Sequence, residues 1–455
     1  MEPECVDYAA ELHSLAPGRF VFDASPFLGR GAYGHVFRAT DMCQPEGSPN
    51  RVVALKRVNE RVLQDPANVH RIINEISLLR VLGGGDIVKL LDVVVPDDEG
   101  YTSFWFVMEY VDTNLKDSLE KSRAAQTPLP FDSARWILYC ILRGTLKLHR
   151  AGVIHRDITP SNILVDSNLT VKLGDLGLAR VRPPQQDGAA RTGCAESTET
   201  ATHYVTQRCY RAPELTFEER RYSQKVDIWS IGCIFAELLG SPPLCSAGEP
   251  VAHLCQILQV AGPPRNGISF GSRAGKRLVK LLVQQRNYGT QLDFNSVFPH
   301  APPLALELLR RMLTLEPNDR FGAEEALHHE LFRDLIQGDA LPTPSTFPEN
   351  PRHADLAEAK KALLRTARSC RRTDTVALAL PNVSPSPVWM VPAADLDSAE
   401  PEIDLGFAVM PFDDPEQDAA DEPKRMWLVW GVVACAALGA CFGTWRLIRH
   451  HRSTK

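Results

Sequence analysis

The stretch VIHRDITPSNILV, Val153 to Val165, sets His155, Arg156 and Asp157 in a row and places Asn162 five residues beyond the aspartate. A carboxylate there can accept a proton from an attacking hydroxyl or orient it, and the asparagine oxygen can join a magnesium ion. Thirteen residues after Asn162, LGDLGLAR offers Asp175, a second oxygen donor for a metal that bridges two phosphates. An isolated H-R-D arises often by chance. H-R-D-x-x-x-x-N followed at this distance by D-L-G is a phosphoryl-transfer constellation, with Leu176 filling the apolar place after the aspartate.

Such groups need strands and helices to hold them. FLGRGAYGHVF places Gly29, Gly31 and Gly34 in a G-x-G-x-x-G run with Leu28 and Val36 beside it. A dinucleotide-binding turn uses the same spelling but runs into a helix, whereas here Val36 and Phe37 continue as a strand. A glycine hairpin covering ATP phosphates is the reading that fits. VVALKRV then puts Lys56 on an alternating strand, and RIINEISLLR puts Glu75 on an amphipathic helix nineteen residues later. A lysine that grips the α- and β-phosphates needs a carboxylate to steady its long stem.

Taken together, these residues resemble eukaryotic protein kinases. THYVTQRCYRAPEL, Thr202 to Leu215, narrows the likeness to the activation lip of the mitogen-activated protein kinases, and VDIWSIGCIFAELL and FPHAPPLALELLRRMLTLEPNDR are similar to that family too. The resemblance runs from about Phe22 to Arg333. It implies an α+β, two-lobed fold with a mainly β N-lobe over 22–111 and a mainly α C-lobe over 112–340. It also implies ATP and Mg²⁺ as cofactors, transfer of the γ-phosphoryl to Ser or Thr before Pro, and an upstream dual-specificity kinase acting on Thr202 and Tyr204.

By the same resemblance, Arg71, Arg156 and Arg180 would meet phospho-Thr202, and Arg208 and Arg211 would meet phospho-Tyr204. Two phosphates add roughly −3 to −4 charge, so such arginines are needed to order the lip. Met108 would close the back of the adenine pocket, with the backbone of Glu109 and Val111 meeting the base. The chain departs from the family pattern beside Asp157. Thr159 stands where the family has a lysine that neutralises the transferring phosphate, and Gln207 where it has a lip threonine. Losing one charged stabiliser costs about 10² to 10³ in rate by analogy with other preorganised donors. Thr159 therefore belongs with the catalytic set, and a pseudokinase or signalling scaffold is the alternative reading. Retention of Lys56, Glu75, Asp157, Asn162 and Asp175 favours an enzyme.

The 455 residues carry a net charge of −6, with no basic footprint for nucleic acid. Eleven cysteines without a C-x-x-C pair point to a reducing compartment rather than a disulfide framework. Residues 1–21 read as an N-terminal extension without a signal peptide. Residues 341–425 read as a mostly disordered linker, rich in Pro and Ser and ending in an acidic run. Within it, RHADLAEAKKALLRTARSCRR sets Leu356, Ala359, Leu363 and Ala367 along one helical face and reads as a solvated, transient helix rather than a docked one.

Met426 to Trp445 contains no charged residue, and twenty residues at ~1.5 Å each span ~30 Å, so 426–445 reads as one transmembrane helix with a basic tail over 446–455. The expectation is a tail-anchored protein with its kinase domain cytosolic, in the mitochondrial outer or peroxisomal membrane. Gly439 and Gly443 would allow a homodimer through a G-x-x-x-G contact.

Overall fold

VVALKRV alternates β-branched and long side chains, and it forms the middle strand of a five-stranded antiparallel sheet. In this computed structural model β1 is Phe20–Gly31, β2 Gly34–Asp41, β3 Val52–Val58, β4 Leu90–Val94 and β5 Phe104–Glu109, in the order β1-β2-β3-β5-β4. The structure describes residues 3–31, 33–96, 101, 103–181, 208–217, 222–247, 249–264, 267–286, 288–336, 342 and 355–370. All of these lie in one compact unit, residues 1–379.

The period of two along β3 decides what each face holds. Val53 and Leu55 look outward to pack with Phe37, Trp105 and Val107. Lys56 and Val58 look inward, toward Phe104 and Phe106 on β5 and the helix α2, Pro66–Leu82. That helix starts where Asp65 accepts a hydrogen bond from the Ala67 amide and Pro66 supplies the first turn. Ile72, Ile73 and Ile76 bury against the sheet, and Glu75 shares that buried side. A further helix, α1, Pro3–Leu15, packs Leu12 onto the outer face of the sheet.

The second lobe is helical, with α3 (Leu115–Ala124), α4 (Phe131–Arg150), α5 (Pro213–Thr216), α6 (Lys225–Leu238), α7 (Pro250–Ala261), α8 (Arg273–Gln284), α9 (Phe294–Val297), α10 (Pro303–Met312), α11 (Ala323–Leu327) and α12 (Arg333–Ile336). In α6 every residue from Val226 to Leu238 is buried, as befits a helix that is apolar all round. Its exceptions, Asp227 and Glu237, are buried charges with dedicated partners. Short strands hold the loops above it: β6 (Thr113–Asn114), β8 (Ile163–Val165) and β9 (Val171–Leu173) form one sheet, and β7 (Val153–Ile154) pairs with β10 (Arg180–Val181).

The two lobes match the sequence expectation, while two other expectations change. Leu356–Cys370 is a helix, α13, and it is docked: Ala359, Leu363, Leu364 and Ala367 are buried with Val69, Ile72, Ile73 and Ile76 of α2. Tyr101 donates its hydroxyl to the Lys360 carbonyl, and Arg80 donates to Ser369 at 2.6 Å. The solvated helix is therefore corrected, because its apolar face is covered by α2.

The membrane reading is also corrected. Among the described residues no helix is long and apolar enough to cross a membrane. The longest, α4, carries Asp132, Arg135, Arg143, Lys147 and Arg150 among its 20 residues. The transmembrane helix, tethering of the kinase to a membrane, the tail-anchored location and the homodimer through Gly439 and Gly443 are accordingly not carried forward. Residues 426–445 themselves lie outside the described residues.

Candidate active site

Three acidic and basic groups from distant parts of the chain meet between the lobes. Lys56 Nζ lies 2.8 Å from Glu75 Oε1 and 3.4 Å from Asp175 Oδ1, joining β3, α2 and the loop after β9. Burial works against the lysine's charge, yet Asp175 and Glu75 outweigh it and hold its pKa above the ordinary value. Burial likewise opposes charge on Asp175, but the ammonium and the Gly177 amide keep its pKa below the usual carboxylate range. Burial raises the Glu75 carboxyl, which the same ammonium counters. The three groups are thus a charged lysine held between two carboxylates.

The hairpin above it is built for close approach. Gly31 pairs with Gly34, and Gly29 with Val36. A Cβ on Gly34 would stand 1.7 Å from the Arg57 carbonyl oxygen, so only glycine fits. Among the described residues, a Cβ on Gly29 would meet nothing within 4 Å, and one on Gly31 only the Gly34 carbonyl at 3.9 Å. Packing among the described residues does not demand those two glycines. Tyr33, at the hairpin tip, is buried with its ring 5.6 Å from Lys56 Nζ and against Gly177. Its one signal in the sequence is its place between two glycines of the run.

Below, the loop from His155 to Asn162 is fixed by buried hydrogen bonds. Asp227, fully buried on α6, accepts the amides of His155 at 2.9 Å and Arg156 at 2.8 Å, together with the His149 ring at 2.8 Å. These donors keep its pKa low in spite of burial. Arg156 turns the chain at φ 71°, a left-handed residue held by that bond. The Asp157 amide donates to His155 Nδ1, so the imidazole keeps its proton on Nε2, which donates to the Gly174 carbonyl at 3.1 Å. His155 is thereby a strut between the loop that carries Asp157 and the loop that carries Asp175, a role the sequence did not reveal.

Asn162 Nδ2 donates to Asp157 Oδ2 and to the Asp157 carbonyl, each at 2.8 Å, which orients its own oxygen away from them. The Gly174 amide donates to the Asn162 carbonyl at 2.8 Å and brings Asp175 alongside. Thr159 is buried, and its carbonyl accepts the Asn162 amide, so it contributes to the loop's shape and offers no positive charge.

The remaining predicted residues lie on several elements. Leu28 is partly exposed and Val36 half-buried at the hairpin. Met108 is half-buried on β5, opposite Ala54. The Glu109 amide is bonded to the Lys89 carbonyl, and its side chain to Lys172, while Val111 lies just past the strand. Arg71 donates to Asn68, Arg156 lies over the Tyr222 ring, and Arg180 pairs through its backbone with Ile154. Arg211 is half-buried. Thr202, Tyr204, Gln207 and the Arg208 side chain lie outside the description. Where the lip resumes, Tyr210 donates to Glu237 at 2.7 Å, and Glu214 forms a two-point buried ion pair with Arg320 at 2.8 and 3.0 Å. That pair anchors the lip's downstream end to the lobe.

Comparison with known proteins matches residues 22–332 to the protein kinase domain. Mitogen-activated protein kinase 4 of Oryza sativa subsp. japonica is 33% identical over 316 residues, covering 69% of this chain and 79% of that protein. Mitogen-activated protein kinase 2 of Pneumocystis carinii is 32% identical over 340 residues, covering 74% and 90%. Extracellular signal-regulated kinase 1 of Dictyostelium discoideum is 33% identical over 313 residues; there the alignment spans 68% of this chain and only 54% of the relative.

Proposed function

The chain belongs to the protein kinase family, among the mitogen-activated protein kinases, and from that premise we propose how its residues transfer phosphoryl groups from ATP to protein Ser or Thr. It is an ATP-dependent serine/threonine protein kinase. The observation that carries the residue assignment is the buried pair of Lys56 and Glu75, costly to leave unpaired at that depth, with the ammonium also reaching the partly exposed Asp175 carboxylate at 3.4 Å.

The glycine hairpin covers the phosphates, with Gly29 and Gly31 admitting them closely. Lys56 holds the α- and β-phosphates, Glu75 holds Lys56, and Leu28, Val36 and Met108 enclose the base. The Glu109 amide is already bonded, which favours Val111 as the backbone donor to adenine. Magnesium would be held by Asn162 and Asp175, whose oxygens suit a hard cation, and would offset charge on the β- and γ-phosphates. Asp157 orients the substrate hydroxyl and accepts its proton, a contribution of about 10² to 10⁴. Thr159 adds a hydroxyl at the transferring phosphate in place of a charge.

The reading extends to regulation. An upstream dual-specificity kinase phosphorylates Thr202 and Tyr204; Arg71, Arg156 and Arg180 receive the first phosphate, and Arg208 and Arg211 the second. Substrates carry Ser or Thr before Pro. The test uses the full chain co-expressed with a dual-specificity activator, given Mg-ATP and a Ser-Pro peptide, with Asp157→Asn as control. Transfer above the control, rising with occupancy of both lip sites, is the expected result. Background transfer by both proteins with a phosphorylated lip refutes the proposed roles.

A further inference from the structure

Lys56 is held from inside the small lobe; its neighbour Arg57 is held from outside. In α1, Tyr8, Glu11, Leu12 and Leu15 recur at i, i+3, i+4 and i+7, one face of a helix. Leu12 is buried on the sheet, with Tyr8 and Leu15 packed around the same cluster. From this seat Glu11 receives Arg57 as a two-point pair, Nε to Oε1 at 3.0 Å and Nη2 to Oε2 at 2.6 Å. The Trp105 indole donates to Glu11 Oε1 at 2.9 Å. The Arg57 guanidinium also lies 4.6 Å over the Tyr8 ring, and that ring sits 5.6 Å from both His35 and Phe37. One helix therefore touches β2, β3 and β5 side by side.

The register makes this contact bear on the nucleotide. Arg57 stands opposite His35 on β2 and opposite Trp105 on β5. The last glycine of the hairpin rests on the Arg57 carbonyl so closely that no Cβ fits, and the Asn59 amide donates to the Tyr33 carbonyl at 2.8 Å. A shift of Arg57 must move Gly34 and Tyr33 with it, and the adjoining Lys56 as well. Arg57 and Glu11 are part-buried, at 13% and 25% side-chain exposure, and paired in fork geometry, so the contact is stronger than a surface ion pair.

We infer that Glu11 is a positioning residue for ATP binding: through Arg57, the N-terminal helix sets the strand pair that carries the phosphate hairpin and Lys56. The inference rests on the reading that this hairpin and Lys56 hold ATP. It touches neither the substrate hydroxyl nor Asp157, so its signature is a split between KM and kcat.

The test compares full-length wild type, Glu11→Gln, Arg57→Gln and the double variant, all with the lip phosphorylated. KM for ATP is expected to rise roughly five- to tenfold in each single variant, with kcat within about twofold and KM for the peptide unchanged. The double variant should be no worse than the poorer single one, since both break the same link. Glu11→Asp, which keeps the charge at shorter reach, should fall between wild type and Glu11→Gln and serves if the amide variants fold poorly. A lowered melting temperature with unchanged KM for ATP would overturn the inference and leave α1 a purely structural element. Additive effects on KM would overturn it too. If Lys56→Met leaves ATP affinity intact, the underlying assignment of the site has failed instead.

Discussion

At the residue scale, the strut formed by His155 gives the site a pH dependence. Its Nδ1 accepts the Asp157 amide, so a second proton would face an N–H donor, and burial holds its pKa below the ordinary 6.5. In the unfolded chain it titrates near 6.5. The unfolded state therefore binds more protons as pH falls below about 6.5, and stability declines there by up to ~1.4 kcal/mol per pH unit for one such group. His329, also held low by burial, adds in the same direction. Asp227 is a carboxylate with a depressed pKa, so its contribution is present above about 3.9 and is lost only further down. Urea unfolding at pH 7.5 and pH 5.5 should show lower stability at 5.5, with the slope reduced in His155→Gln. The Thr159 departure gives a second prediction: Thr159→Lys restores charge beside Asp157, and kcat should rise about tenfold or more on the scale of one preorganised donor. Stopped kinetics with the Ser-Pro peptide measure it, and an unchanged kcat would show that phosphate charge is already neutralised by other groups.

At the element scale, α13 and α1 were the parts least legible beforehand, for a physical reason. A period of 3.6 in LAEAKKALLRTARSC marks an apolar stripe but does not say what covers it. The partner is α2, nearly three hundred residues away in sequence. Glu11 shows the same gap, since nothing in PECVDYAAELHSL announces that its carboxylate meets Arg57 and Trp105. The strands, by contrast, were readable, because alternation in VVALKRV fixes which side of β3 carries Lys56. So were Glu75, Asp157, Asn162 and Asp175, whose spacing reflects elements of constrained length. The Lys56–Glu75 contact follows from that spacing; the contact of Lys56 with Asp175 does not, nor do the His155 and Asp227 bonds, which depend on a left-handed turn at Arg156. The docking of α13 yields its own prediction. Leu363→Ala removes a fully buried side chain and should cost about 2–5 kcal/mol in a denaturant titration. Since α13 packs on α2, which carries Glu75, kcat should drop in the same variant, whereas exposed Arg365→Ala should change neither.

For the whole molecule, the division of labour is uneven. The large lobe has its own continuous core, and the lip's downstream end is fixed to it by the Glu214–Arg320 pair. The small lobe is a single sheet whose two faces are completed by α1 on one side and by α2 with α13 on the other. ATP bound between the lobes should stabilise the whole chain by about 2.7 kcal/mol at a hundredfold excess over Kd. A thermal shift that appears with Mg-ATP and vanishes in a Lys56→Met, Asp175→Asn double variant is the expected result.

The late arrival of α13 has a consequence for biosynthesis. About 260 residues separate the end of β5 from the end of α13. At ~5–20 residues per second, a ribosome needs roughly 13–50 s to cover that distance. Throughout that interval, Ile72, Ile73 and Ile76 lack part of the covering they have in the finished protein. A nascent chain arrested just before Leu356 should therefore be captured by a hydrophobic-binding chaperone, and one arrested well beyond Cys370 should escape it.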